Sequence, residues 1–186
     1  MGKLIYATNT SLDGFTEDAT GSFDWSVPDE DVHEFYNDMM RDVGTQLLGR
    51  RMYETMAVWE TEPSLAEESA ALAGFAAAWQ DSDKLVYSTT LTEAVTRRTH
   101  IVPAFEADEV RALKKASSAD LMVGGPGLAA HALRAGVVDE LRLVLVPVAV
   151  GAGKPALPTD LRLDLELIDE RRFGNGAVHV AYRVRR

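Results

Sequence analysis

Cysteine is absent from this 186-residue chain, which excludes a disulfide framework, thiolate catalysis and a cysteine-ligated zinc. The 4 histidines are scattered and show no His-Glu-x-x-His or similar ligand spacing, so no metal is expected. No apolar run is long enough to cross a bilayer. Lys3 is followed by only a brief apolar stretch, so no secretory leader is expected and a cytoplasmic location is the economical reading. Positive charge is in deficit: 19 Lys and Arg against 29 Asp and Glu leave a net charge of −10. Nucleic acid and anionic membranes are poor partners for such a surface. An anionic small molecule remains admissible where arginines or backbone N–H groups line a pocket. Ser22 and Ser88 lack the turn that exposes a nucleophilic serine. There is no internal repeat, linker or low-complexity tract, and the length predicts one domain over residues 1–186.

What is present begins with Leu121-Met122-Val123-Gly124-Gly125-Pro126-Gly127-Leu128, an apolar run that meets a glycine cluster and continues into helix-forming residues. A strand, a tight turn and a helix start are expected there. The first N–H groups of a helix lack intrahelical partners and its dipole favours an anion, so a phosphate could lie against this backbone.

Residues 3–9 predict a first strand, followed by a polar loop from Ser11 to Asp24. Ser26-Val27-Pro28-Asp29 fits a capping box, and the helix behind it puts Val32, Phe35, Met39 and Val43 on one face before Gly44. A short strand over 45–48 runs into Gly49-Arg50-Arg51 and a helix over 52–58. Ser64-Leu65-Ala66-Glu67 fits a second capping box, opening an alanine-rich helix that buries Leu65, Leu72, Phe75 and Trp79. Strands follow at 84–87 and 99–102, then a helix over 106–116. An apolar strand spans 139–150, with Pro147 marking a bulge or an edge. Alternation over 161–167 and 178–184, around Gly174-Asn175-Gly176, predicts a terminal antiparallel hairpin. The expected class is α/β, a mostly parallel central sheet with helices on both faces and antiparallel strands at its edge.

Ligands of such open sheets gather at the carboxyl ends of the strands. Three strand ends fall together: Gly49-Arg50-Arg51, Ser88-Thr89-Thr90 and Gly124-Gly125-Pro126-Gly127. They supply guanidinium groups, hydroxyls and backbone N–H groups, a set that suits a dinucleotide carrying an extra phosphate.

The segments Asp24-Trp25-Ser26-Val27-Pro28-Asp29-Glu30, Leu48-Gly49-Arg50-Arg51-Met52-Tyr53-Glu54 and Val123-Gly124-Gly125 resemble dihydrofolate reductase in order and approximate spacing. Ser11-Leu12-Asp13-Gly14 and Val138-Asp139-Glu140-Leu141, continuing to Pro147 and Gly151-Ala152-Gly153, are more similar to a sister group. That group is the reductase domain of the bifunctional riboflavin-pathway deaminase-reductase and its stand-alone relatives. The resemblance implies a dihydrofolate-reductase-like fold with NADPH as cofactor. It implies that the backbone at Thr8 and Asn9 faces the nicotinamide carboxamide. Gly49, Arg50 and Arg51 with Ser88 and Thr89 would hold the adenosine phosphate, and Gly124, Gly125, Gly127 and Leu128 the pyrophosphate. The loop from Asp13 to Trp25 would cover the nicotinamide. Met52 departs from the pattern, since dihydrofolate reductases carry a Thr there.

Reduction of C=N or C=O also needs a proton. Glu30 stands where dihydrofolate reductases place an acidic residue, and it equally suits a helix N-terminus. No Thr near Val144 is available to bond such a carboxyl. Asp13 has two open roles, a substrate-binding or water-orienting group and an ordinary turn aspartate. Trp25 is either a wall of the substrate site or an anchor of its loop, whereas Trp59 and Trp79 are expected in the core. The implied activity is NADPH-dependent reduction of a small carbonyl, imine or pterin-like substrate, with 5-amino-6-(5-phosphoribosylamino)uracil the nearest named one. Dihydrofolate reduction and a non-catalytic nucleotide-binding module are the alternatives. Strand 141–150 and the hairpin suggest a homodimer.

Overall fold

In the computed structural model the described residues are 1–185. The chain runs β1 (Leu4–Ser11), β2 (Phe15–Asp18), α1 (Glu30–Met40), β3 (Val43–Gly49), α2 (Arg50–Met56), α3 (Val58–Thr61) and α4 (Ala70–Asp81). It continues with β4 (Asp83–Tyr87), β5 (Thr99–Val102), α5 (Ala107–Ala116), β6 (Asp120–Gly124) and α6 (Pro126–Arg134). The last strands are β7 (Glu140–Val146), β8 (Gly153–Pro155), β9 (Leu165–Arg172) and β10 (Val178–Val184). Eight strands form one sheet in the order β5-β4-β3-β6-β1-β7-β10-β9. Pairing is parallel from β5 to β7 and antiparallel at β7–β10 and β10–β9.

Side-chain alternation along β1 splits the core between the two faces. Leu4 and Tyr6 join Leu121, Val123 and Leu141 under α6, whose Leu128, Ala129, Ala132 and Leu133 are buried, and under Val110 of α5. Ile5 and Ala7 face the other way, against Met39 of α1. Met40 and Val43 pack with Phe75 of α4, and Leu48, Tyr53, Trp79 and Val86 form a further cluster on that face. Trp79 is fully buried as expected, and the Trp59 ring lies 4.9 Å from that of Phe75.

Several local expectations shift. Val27, held extended before Pro28 (φ −60°, ψ 122°), keeps Ser26 out of α1. Asp29 is the cap instead, its carboxylate accepting the Val32 N–H at 3.1 Å. Ser26 lies in a single 3₁₀ turn over 24–26. The helix ends at Met40, so Val43 and Gly44 belong to β3. Residues 63–67 are also 3₁₀, and Ser69 rather than Ser64 caps α4, through the Leu72 N–H at 3.2 Å. Leu65 therefore lies outside the helix. Pro147 ends β7 rather than interrupting it, and residues 148–150 leave the sheet. Leu161 and Leu163 precede β9, yet both pack on the main core. A second, two-stranded sheet, β2 with β8, was not expected.

Candidate functional site

The chain leaves β1 for α1 on one face of the sheet and leaves β6 for α6 on the other. Since β1 and β6 are neighbours, the two exits diverge and a crevice lies outside their carboxyl ends, where ligands of such sheets bind. The β6 exit is Gly124-Gly125-Pro126. Gly125 has φ +89°, a conformation strained for any other L-residue, and it turns the chain directly into α6. A Cβ on Gly124 would lie 2.8 Å from Leu48 Cδ2, and one on Gly125 would lie 3.2 Å from Met52 Cβ. A Cβ on Gly127 would have nothing within 4 Å. The first backbone bond of α6 is Ala129 N–H to Gly125 O, so the N–H groups of Gly127 and Leu128 have no partner within the helix. The glycines thus do two jobs: Gly124 and Gly125 admit Met52, whereas Gly127 leaves open space beside free N–H groups.

Met52, at the position where dihydrofolate reductases carry a Thr, packs with the core cluster of Leu48, Tyr53 and Trp79 instead of offering a hydroxyl. Gly49 is the N-cap of α2 (φ −71°, ψ 157°), and the nearest neighbour to a Cβ there is Leu128 Cβ at 3.9 Å. Arg50 donates to Glu54 at 2.7 Å and to the Thr90 hydroxyl at 2.8 Å. Ser88 Oγ accepts the N–H groups of Thr90 and Leu91, which holds the turn after β4 against Arg50. Thr89 is exposed at its tip. Arg51 reaches Glu17 of β2 at 3.4 Å, and Lys154 of β8 reaches the same carboxylate at 3.4 Å. The three strand ends are therefore brought together. Both arginines are exposed, and their ion pairs are of the weak kind that a phosphate can displace.

At the end of β1, Thr8 donates its hydroxyl to Asn9 O at 3.1 Å. The Asn9 amide donates to Ser26 O at 2.8 Å and accepts from the Tyr36 hydroxyl at 2.5 Å. Burial raises the Tyr36 phenol well above its ordinary range, so it stays protonated. Trp25 is half-buried, its indole N–H donating to Ser22 O at 3.3 Å. Glu30 is exposed at the start of α1 and makes no side-chain hydrogen bond or ion pair among the described residues. Asp13 is engaged: its two oxygens accept the N–H groups of Val150 (3.1 Å) and Gly151 (2.7 Å), tying the β1 loop to the segment after β7. Hydrogen bonding from Ser11, then from Gly151, holds its carboxyl below the ordinary range. Under this loop, on the α6 side of the sheet, a cavity of about 390 Å³ is lined by Thr10, Gly14, Phe15, Leu143, Leu145 and Ala156.

Val144 is buried against Val32 and Phe173 and pairs in register with Asn9, so a Val occupies the strand position beside the α1 start. Tyr36 and Glu17 were not anticipated, whereas Thr90 was, within the Ser88-Thr89-Thr90 strand end. Tyr36 had a signal: its polar atom falls on the buried stripe of α1, between Val32 and Met39, and such an atom needs a partner. Glu17 had none, because its role comes from β2–β8 pairing. No group of three or more metal-ligating side chains occurs among the described residues, and no helix is long and apolar enough to cross a membrane.

Comparison with known proteins bears on the family and the fold. The family described as the RibD C-terminal domain matches residues 2–179. The uncharacterized protein YyaP of Bacillus subtilis (strain 168) is 28% identical over 185 residues, covering 97% of this chain and 94% of that protein. A Shewanella sp. PV-4 protein named for riboflavin biosynthesis superposes with a TM-score of 0.77 at 20% identity, covering 99% of both chains. RibD of Acinetobacter baumannii gives 0.71 at 14% identity, over 100% of this chain and 59% of that one. Dihydrofolate reductase of Enterococcus faecalis, solved with NADP(H), gives 0.64 at 12% identity, over 98% and 96%.

Proposed function

Because the chain belongs to the RibD C-terminal domain family, we propose that it is an NADPH-dependent reductase of a small carbonyl, imine or pterin-like substrate. The observation that carries this reading is the meeting, at the carboxyl ends of the neighbouring strands β3 and β6, of the unpartnered Gly127 and Leu128 N–H groups with Arg50 and Arg51. The open space beside Gly127 suits an approaching pyrophosphate. Arg50, Thr90 and the Ser88–Thr89 turn suit a phosphate on the adenosine. The backbone at Thr8 and Asn9 suits the nicotinamide carboxamide. NADPH supplies a hydride when bound. The chain's own work is to orient that ring at the end of β1 and to exclude water with the segment from Asp13 to Trp25.

For the proton, Glu30 is the better of the two carboxylates. Its oxygens are free, and it follows Ser26, which the Asn9 amide bonds. Asp13 serves as a clamp of the loop instead. The favoured substrate is 5-amino-6-(5-phosphoribosylamino)uracil, which is named as substrate in a structurally similar deaminase-reductase of Thermotoga maritima. The outer strand β9 exposes Leu167 (51%) and Ile168 (37%), which supports a homodimer built on that edge.

The test is loss of NADPH absorbance with a panel containing the phosphoribosylaminouracil, simple carbonyls and dihydrofolate. Turnover of the uracil supports the assignment, and prompt turnover of dihydrofolate alone replaces it with the neighbouring activity. Binding without turnover of any member leaves a nucleotide-binding module.

A further inference from the structure

The Asn9 side chain joins the sheet, α1 and the returning loop at the crevice. Its neighbours dictate its orientation. Ser26 O is a carbonyl and can only accept, so the nitrogen of the amide must face it at 2.8 Å. The amide oxygen must then take the Tyr36 proton at 2.5 Å. The two ends of the amide are thereby distinguished by chemistry, not by an arbitrary choice of rotamer. Two hydrogen-bonding valences remain: the second hydrogen on Asn9 Nδ2 and the lone pairs of Tyr36 Oη. Both residues are half-buried, and β1 carries Asn9 beside the diverging exits of β1 and β6. A donor beside an acceptor complements a cyclic amide, in which a ring C=O stands next to a ring N–H. A simple ketone or aldehyde matches only half of it.

Resting on the reductase reading above, we infer that Tyr36 and Asn9 position the substrate by reading a ring lactam edge, with Asn9 donating to its carbonyl and Tyr36 accepting from its N–H. Tyr36 has a second part, since its proton holds the Asn9 amide in the donating orientation. Because burial keeps the phenol protonated, this arrangement is insensitive to pH across the neutral range.

The probes are 5,6-diaminouracil and its 1,3-dimethyl derivative, which keeps the ring and both carbonyls but has no ring N–H. Their affinities are measured by calorimetry on the full chain, with NADPH binding measured separately. The expected result is that the wild type binds the unmethylated probe about tenfold tighter, the worth of one good hydrogen bond. In Tyr36→Phe that preference falls to about twofold or less while the chain stays folded and still binds NADPH. Asn9→Ser, which keeps the fold without the amide, is expected to weaken both probes. Equal binding of the two probes by the wild type, no binding of either, or an undiminished preference in Tyr36→Phe would overturn the inference. Failure of NADPH to bind the wild type would overturn the cofactor reading instead, and the probe comparison is read independently of it.

Discussion

Gly125 and Met52 are in direct opposition: a side chain on Gly125 would bring a Cβ to 3.2 Å from that of Met52, at a backbone φ of +89°. Gly125→Ala meets both the strained conformation and the crowding. Its expected effect is a loss of roughly 1–3 kcal/mol in denaturant unfolding. Gly127, two residues on, has neither problem. Gly127→Ala is expected to leave stability within about 1 kcal/mol of wild type. It is expected all the same to weaken NADPH binding, because the methyl enters the space beside the free N–H groups. Equal NADPH affinity in Gly127→Ala and wild type would place the pyrophosphate elsewhere.

Arg50 is exposed and paired with Glu54 and Thr90, so truncating it removes little from the fold. Arg50→Ala is expected to lower NADPH affinity by roughly ten- to a hundredfold, the range for charge-assisted hydrogen bonds. NADH affinity, lacking the extra phosphate, is expected to change far less. Isothermal titration with both cofactors checks this, and a parallel loss for the two would remove Arg50 from the adenosine phosphate.

The two carboxylates separate by experiment. Glu30→Gln is expected to reduce turnover by roughly 10²–10⁴-fold, as for loss of a general acid, with NADPH affinity unchanged. Asp13→Ala releases the Val150 and Gly151 N–H groups and is expected to lower the melting temperature and loosen the loop. If Asp13→Asn abolished turnover with the melting curve intact, the catalytic role would pass to Asp13.

His179 supplies a pH dependence of stability. It is buried on β10 with neither ring nitrogen hydrogen-bonded, its ring 4.4 Å from that of Phe35. Burial pushes its pKa down from 6.5 to about 4, opposed by Asp169 and reinforced by Arg142 and Arg171. The unfolded chain therefore takes up a proton before the folded one does. The stability from the neutral ring is fully present above about pH 6.5 and is lost as the pH falls toward about 4. Chemical denaturation across that window checks it, with His179→Phe expected to flatten the slope. An unchanged slope in the variant would assign the acid sensitivity to other groups.

The long elements were legible because their patterns were long: the alternation of β10, the apolar stripe of α1, and the glycines between β6 and α6. The β2–β8 pair was not, since strands of 4 and 3 residues with a register shift offer no period to read. Ser26 had the chemistry of a cap, but the constraint that Pro28 puts on Val27 passes the position to Asp29. At the site, the residues contributed by strand ends were visible. Their partners were not, because Arg51 meets Glu17 and Asn9 meets Tyr36 only after the loop and α1 have packed.

Binding of NADPH at the crevice between β1 and β6 is the central claim, and calorimetric titration of NADPH against wild type, Gly127→Ala and Arg50→Ala tests it most directly. The predicted result is micromolar or tighter binding by the wild type, weakened in both variants without loss of fold. Absence of binding by the folded wild type at high micromolar cofactor, or equal binding by all three chains, would contradict it.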